Sequence, residues 1–396
     1  MVKRREYGSG SVYQRRDGKW IGAIDAGFTA SGGRRRVTVT GRTDAEARRR
    51  LRDKVAEVKS GIVVMSPNTT VKAWADTWLP IKEAELSPKG YKALAGPVRK
   101  WVVSTIGSKR LTQLTPADIR SVEAKQREAG LKGTTCAATQ RALFNMLRAA
   151  IAEGHAVPTR VLMAKMPKTS PSDRKPLSIP EALAVIAAAR DLPHRSRWHV
   201  ALLTGMRQGE CLGLTWDAVD FDAEEIVVEW QLQRLPYRDK RDRSKGFRVP
   251  AEYDSVQVHK SWHLVRPKSK AGFRVYPLLP VVAASLREWR EHAPDNPHGL
   301  VWPNTLGRPA SNIDDLEEWH ALQGAAGVGH PAGRYYHVHE CRNVTATRLR
   351  EAGVDGLTIT SLLGHTSLST SEGYMTVDAA SKRAALEKVA AMLELG

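Results

Sequence analysis

The sequence predicts a multidomain α+β chain, and three observations predict it. Three strand-like runs followed by one helix fill residues 8–60, helical apolar stripes fill 70–153, and helices interleaved with short strand-like runs fill the remainder. A Pro-, Ser- and Lys-rich stretch, MPKTSPSDRKP at 166–176, separates the second block from the third. The expected division is a small module at 1–61 (three strands, one helix), an all-α domain at 66–166, and an α+β domain at 172–396. A chain of 396 residues is long enough for such an arrangement.

Each element has a local reason. GSGSVYQRR, KWIGAID and RRRVTVTG carry Val, Tyr, Trp, Ile and Thr and are separated by DGK and ASGG turns, so they read as strands. Thr43-Asp44 then opens a helix that runs toward Gly61. After a linker at 61–70, Trp74, Trp78, Leu79, Leu94, Val98 and Val102 recur at helical spacing, which makes them core rather than base-stacking residues. Thr115 and Pro116 form an N-cap and N1 pair ahead of ADIRSVEAKQREAG, and a further helix spans about Thr134 to Glu153. Ser178 and Glu181 form a capping box ahead of ALAVIAAAR. AEEIVVEWQLQ and GFRVYPLL read as strands. The connection between them is long and basic, with seven Lys/Arg against two Asp from Arg234 to Arg248, which fits a hairpin extension that is either in contact with a polyanion or disordered. The last segment, DAASKRAALEKVAAMLEL, is an amphipathic helix that would pack on its own domain or on a neighbouring copy.

Charge narrows the function. The formal net charge is +19, with a net of +9 in residues 1–60, +10 in 66–168 and zero in 169–396. So complete a segregation points to a polyanion, a nucleic acid above all, gripped by the N-terminal half. A merely solubilising surface would spread the excess. No apolar run of 18 or more residues is present and the start MVKRREYGSG lacks an apolar core, which argues against a membrane protein or a secreted one. Three scattered cysteines, Cys136, Cys211 and Cys341, fit a reducing compartment rather than a disulfide framework.

The C-terminal third holds the chemistry. His339 and Arg342 lie three apart at the start of a helix that stops at Gly353; a second helix, 357–363, stops at Gly364, with His365 next and Tyr374 nine residues further. A tyrosine hydroxyl, with a pKa of about 10, needs a base and a charged cradle before it can attack a phosphodiester. TGMRQGE adds Arg207 just beyond an apolar helix, with Glu210 placed to orient it. Alone, each piece has an ordinary explanation: a capped histidine, a packed tyrosine, an Arg207–Glu210 pair. A zinc site at His339 and His365 would lack a third ligand. TGMRQGE, HECR, LGHTS and Tyr374 in that order, however, resemble the tyrosine site-specific recombinases, the phage integrase family. The resemblance covers residues from about 66 to 390.

What the resemblance implies is specific. Tyr374 would be the nucleophile that forms a 3′-phosphotyrosyl bond, and Arg207 and Arg342 would fork onto the non-bridging oxygens. His339 would accept the tyrosine proton or position a phosphate oxygen, and His365 would hydrogen-bond the phosphate. Lys270 in PKSKAGFRVYPL would protonate the leaving 5′ oxygen, with Lys268 a close competitor because the long basic connection blurs the register. Guanidinium charge would stand in for a metal, and the retained bond energy for ATP, so no cofactor is implied. The 1–61 module resembles an arm-type DNA-binding domain, with Arg34, Arg35 and Arg36 entering a strand laid in a groove. The 66–166 helices resemble a core-binding domain, where Lys132, Thr134, Thr139, Gln140 and Arg141 would meet phosphates. The implied partners are double-stranded attachment-site DNA, three further copies in a tetramer on that DNA, and a directionality or DNA-bending helper, in a bacterial cytoplasm. Two alternatives share the residues: a type IB topoisomerase-like relaxing enzyme, and a non-catalytic DNA-binding regulator.

Overall fold

The computed structural model describes residues 10–28, 34–59, 67–267, 272–364 and 377–395. They form two compact units, Met1–Pro171 and Ser172–Gly396. Among the described residues no helix is long and apolar enough to cross a membrane.

The first unit begins with an antiparallel sheet of β1 (Ser11–Gln14), β2 (Trp20–Phe28) and β3 (Arg34–Gly41), in that order, followed by α1 (Asp44–Lys59). Ala47 and Leu51 of α1 are buried, as are Ala23 and Ile24 of β2. Arg36 lies opposite Asp25 in the register and is exposed. The side chains of Arg34 and Arg35 lie outside the described residues. A helical group follows: α2 (Val71–Glu85), α3 (Pro88–Pro97) continuing through a π-helical stretch at Val98–Val103 into α4 (Ser104–Ile106), then α5 (Pro116–Glu128) and α6 (Gly133–Ala152). Ser87 caps α3, and at the start of α5 the Thr115 N–H and hydroxyl both donate to Asp118 Oδ2. Trp74, Trp78, Leu79, Val98 and Val102 are buried as expected, with Trp74 Nε1 donating to the Met146 carbonyl at 2.8 Å.

Two of the expected phosphate contacts are corrected here. Thr139 and Gln140 are buried in α6. The Thr139 hydroxyl accepts from Gln126 Nε2 at 2.8 Å and donates to the Thr135 carbonyl, while Gln140 Nε2 donates to the carbonyls of Ala164 and Lys165. Their polar atoms are satisfied inside the unit, so neither faces solvent. Lys132, Thr134 and Arg141 are exposed.

The second unit holds α7 (Ile179–Ala188), α8 (Ser196–Thr204) and α9 (Gln208–Leu212), strands β4 (Val219–Asp220) to β9 (Arg274–Pro277), and then α10 (Pro280–His292), α11 (Asn312–Ala325), α12 (Val338–Glu351), α13 (Gly356–Leu363) and α14 (Ala379–Met392). One small sheet has the order β4, β5 (Glu225–Val228), β9; the other has the order β6 (Gln231–Arg234), β8 (Trp262–Val265), β7 (Ser255–His259). AEEIVVEWQLQ is thus two strands in two sheets rather than one. The break falls at Glu229-Trp230, where the Arg266 guanidinium lies over the Trp230 ring at 4.1 Å. The basic connection is structured over its described residues, which end at Pro267. β7 and β8 form within it, and its tip is closed by the Tyr237–Phe247 bridge, with the two rings 4.7 Å apart. α14 packs on its own unit, burying Leu386 and Val389.

The core of this unit contains a charged pair. Arg197 donates to both Asp315 oxygens at 2.9 Å, beside the stacked rings of Trp198 and Trp319, and both members of the pair are buried. Gln208 Nε2 also donates to Asp315 at 2.8 Å, which ties α9 to α8 and α11. Asp315→Ala leaves an uncompensated buried guanidinium, so a loss of about 3–5 kcal/mol in folding stability is expected, to be read from chemical denaturation midpoints.

Candidate active site

The site is built around the C-terminal end of α13. That helix stops because Gly364 adopts a left-handed conformation, φ 63°. Its last carbonyls, which have no partner within the helix, are taken by three arginines from three distant segments. Arg274 Nε donates to the Leu362 carbonyl at 3.0 Å, Arg342 Nη2 to Leu363, and Arg207 Nη2 to Gly364 at 3.1 Å. Cations at the negative end of a helix are favourably placed.

Each arginine reaches this point for a local reason. Arg207 is the N-cap of α9, and its own N–H donates to Glu210 Oε2 at 2.8 Å. α8 ends at Gly205, φ 63°, where a Cβ would meet Leu363 Cδ2 at 2.9 Å and Thr345 Oγ1 at 3.1 Å. Only glycine lets α8, α12 and α13 meet so closely. The Gly205 carbonyl then accepts from Arg342 Nη1 at 2.8 Å. Arg274 points inward from β9 on the same face as Tyr276, whose hydroxyl accepts from its Nε at 2.8 Å.

Glu210 joins the set. Its carboxylate accepts from Arg207 Nη1 at 2.7 Å and from Arg274 Nη2 at 2.6 Å and Nη1 at 3.2 Å. Burial would raise this carboxyl, but the Arg274 hydrogen bond and charge, then the backbone and side-chain hydrogen bonds of Arg207, hold it below the usual carboxylate range. Burial, reinforced by the like charges of Arg207 and Arg274, pulls Arg342 down to about 10, so it stays protonated at neutral pH. Arg207 is the accessible member, with 38% of its side chain exposed, whereas Arg342 and Arg274 are buried.

His339 stands at the exposed rim, in the first turn of α12. That turn is fixed by Glu340, which accepts from the His337 N–H at 2.7 Å and from Arg334 at 2.8 and 3.0 Å. Desolvation of the His339 ring, then the charges of Arg342, Arg174 and Arg207, hold its pKa below the ordinary imidazole value, with Glu340 opposing. Of the expected residues, Arg207 and Arg342 therefore meet on consecutive carbonyls, and His339 lies within their field. Lys268, Lys270, His365 and Tyr374 lie outside the described residues.

Residues 177–381, more than half of the sequence, match the pattern of the phage integrase family. The chain belongs to that family. This phage integrase family member is 25% identical to an integrase of Saccharopolyspora erythraea over 94% of each chain, and 25% identical to an integrase of Streptomyces ambofaciens over 94% of this chain and 93% of that one. A XerC-like tyrosine recombinase of Caldanaerobacter subterraneus is 23% identical over 85% of this chain and 86% of its own. Two solved structures share its fold. They are the Tn1549 transposon integrase in complex with transposon right end DNA (TM-score 0.62, 18% identity, 81% of this chain, 100% of that one) and a lambda integrase tetramer bound to a Holliday junction (TM-score 0.56, 17%, 94% and 97%). The integrase is accordingly a tyrosine site-specific recombinase, a DNA-binding enzyme of strand exchange.

Arg274 was not singled out by its motif. The available signal was strand alternation in FRVYP, which puts an arginine and a tyrosine on one inward face. For His339 the sign is clear: a depressed pKa makes the neutral ring the form present at pH 7, ready to accept a proton. If it serves as acceptor, cleavage falls on the acid side only below the usual 6.5, and His339→Gln flattens that limb in a single-turnover pH profile.

Proposed function

We propose that this integrase cuts and rejoins DNA between two attachment sites through Tyr374, cradled by Arg207 and Arg342. The observation that carries the proposal is the convergence of those two guanidiniums on the Gly364 and Leu363 carbonyls, one and two residues before His365. In the first step the Tyr374 oxygen bonds to phosphorus while the bond to the 5′ oxygen breaks. His339 takes the phenolic proton, and Lys270 (or Lys268) gives one to the leaving 5′ oxygen, which departs as a hydroxyl. Arg207 and Arg342 offset the charge on the pentavalent phosphorus, and His365 hydrogen-bonds a phosphate oxygen. The number of charges and protons is conserved, so the 5′ hydroxyl of a partner strand reverses the step and releases the tyrosine.

Within this proposal, residues 1–61 bind arm-type DNA through Arg36 and its neighbours Arg34 and Arg35. The 66–166 helices, with Lys132, Thr134 and Arg141, grip the core site, and residues 172–396 cut. Four copies act together on DNA; the lambda integrase tetramer on a Holliday junction supports that stoichiometry. A directionality or DNA-bending helper belongs to the same scheme. Relatives named as integrases and Xer recombinases favour recombination over plasmid relaxation or silent DNA binding.

Tyr374→Phe is expected to abolish covalent adducts on a nicked duplex while DNA affinity stays within about threefold; adduct formation by that variant would remove Tyr374 from the role. The basic hairpin offers a separate test. Lys240 and Arg241 are exposed at its tip. If both meet phosphates, Lys240→Ala with Arg241→Ala lowers the slope of log K against log salt by about two, measured by fluorescence anisotropy across a salt series.

A further inference from the structure

Arg274 is bonded to three segments that each carry proposed reacting groups. Its Nη1 and Nη2 fork onto Glu210, the residue that holds Arg207. Its Nε donates to the Leu362 carbonyl, at the end of the helix that leads into His365 and Tyr374. Its Nη1 also donates to the Gly272 carbonyl at 3.0 Å, the first described residue after the stretch holding Lys268 and Lys270. One planar fork thus spans the arginine, lysine and tyrosine segments, from a side chain that is itself buried.

We infer that Arg274 is a positioning residue of the recombination reaction. It fixes Glu210, and through Glu210 the Arg207 guanidinium, against the end of α13, and so sets where positive charge meets the phosphate. This rests on the proposed roles of Arg207 and Tyr374. Stability alone does not account for the arrangement, because a buried ion pair is commonly no better than apolar residues of the same volume. Geometry does: five N–H donors in one plane reach both Glu210 oxygens and two main-chain carbonyls together. A lysine carries the same charge, but as a single point it cannot hold all four acceptors. Arg274 is itself buried, and its Nε, Nη1 and Nη2 all donate to the protein, so it acts through Arg207 rather than on DNA.

The test uses the full chain and a nicked duplex of its crossover site, mapped by sequencing the junctions the wild-type chain makes in a plasmid recombination assay. Arg274→Lys is expected to slow formation of the covalent adduct by about 100-fold or more, the scale of a lost oxyanion contact, with DNA affinity and thermal midpoint close to wild type. A second substrate carries a methylphosphonate at the scissile position and so lacks one anionic oxygen. On it the gap between Arg274→Lys and wild type should shrink at least tenfold, since less charge needs to be met. Should Arg274→Lys not fold, the double variant Glu210→Gln, Arg274→Met replaces the ion pair by uncharged groups; it should fold, bind DNA and remain slow. Wild-type rates from either variant, a defect no larger than the loss of folded protein, or an equal defect on both substrates overturns the inference. Tyr374→Phe and Arg207→Ala run alongside. Adducts from Tyr374→Phe overturn the tyrosine assignment itself, whereas an inert Tyr374→Phe with a fully active Arg274→Lys overturns only the role of Arg274.

Discussion

Three guanidinium groups in one buried neighbourhood repel one another, and a single carboxylate lets them stay there. Glu210 is nearly inaccessible, yet it remains ionised because Arg274 and Arg207 surround it. Its one negative charge leaves the cluster positive overall, and the remaining repulsion shows in Arg342, pulled down to about 10 by burial and by its two neighbours. The α13 carbonyls supply the rest of the compensation through the negative end of the helix. A cluster in that condition is under-neutralised, and Arg207 is its solvent-accessible member. In the proposed function a DNA phosphate supplies the missing negative charge.

That constraint explains much of the packing in the second unit. Gly205 and Gly364 both take left-handed conformations, and both present their carbonyls to an arginine. The Thr345 hydroxyl stitches α12 to the Leu202 carbonyl of α8, which brings Arg342 beside the end of α8. Gln208 and Asp315 anchor α9 from the other side, so Arg207 projects from a helix start held at both ends. Two of the elements that carry the arginines, α9 and β9, are short and are held by these polar ties, whereas α12 is also anchored by Val344 and Leu349 in the apolar core.

The sequence disclosed the parts that depend on local rules. The Ser178–Glu181 and Thr115 caps, the Gly353 and Gly364 stops, and the apolar stripe through Trp74 and Trp78 are all set by neighbours within a few residues, and they appear where the patterns place them. What it hid depends on contacts between distant segments. Glu229-Trp230 looks like the middle of a strand, and only the competing second sheet makes it a break. Thr139 looks like a polar surface residue until Gln126 of the preceding helix takes its hydroxyl. Arg274 looks like one more basic residue in a basic stretch, and its value lies in Glu210 and Leu362, which no spacing rule connects to it.

Net charge misleads in the same way. Residues 169–396 carry as many Lys/Arg as Asp/Glu, so by composition this half has no preference for a polyanion. Its acidic groups are spent elsewhere: Asp315 on Arg197, Glu340 on Arg334, Glu318 on His194. Among the described residues, Glu210 is the one carboxylate that bonds to the arginines at the end of α13. Because charge–charge energy falls with distance and is far stronger in a poorly solvated site than across a wet surface, a few groups inside that site outweigh a balanced total outside it. The strongly basic first unit can supply long-range attraction to DNA that salt weakens. The arginine cluster of the second unit supplies short-range, geometry-dependent charge that salt barely screens. Under the proposed roles, long-range attraction and short-range phosphate contact draw on different electrostatics.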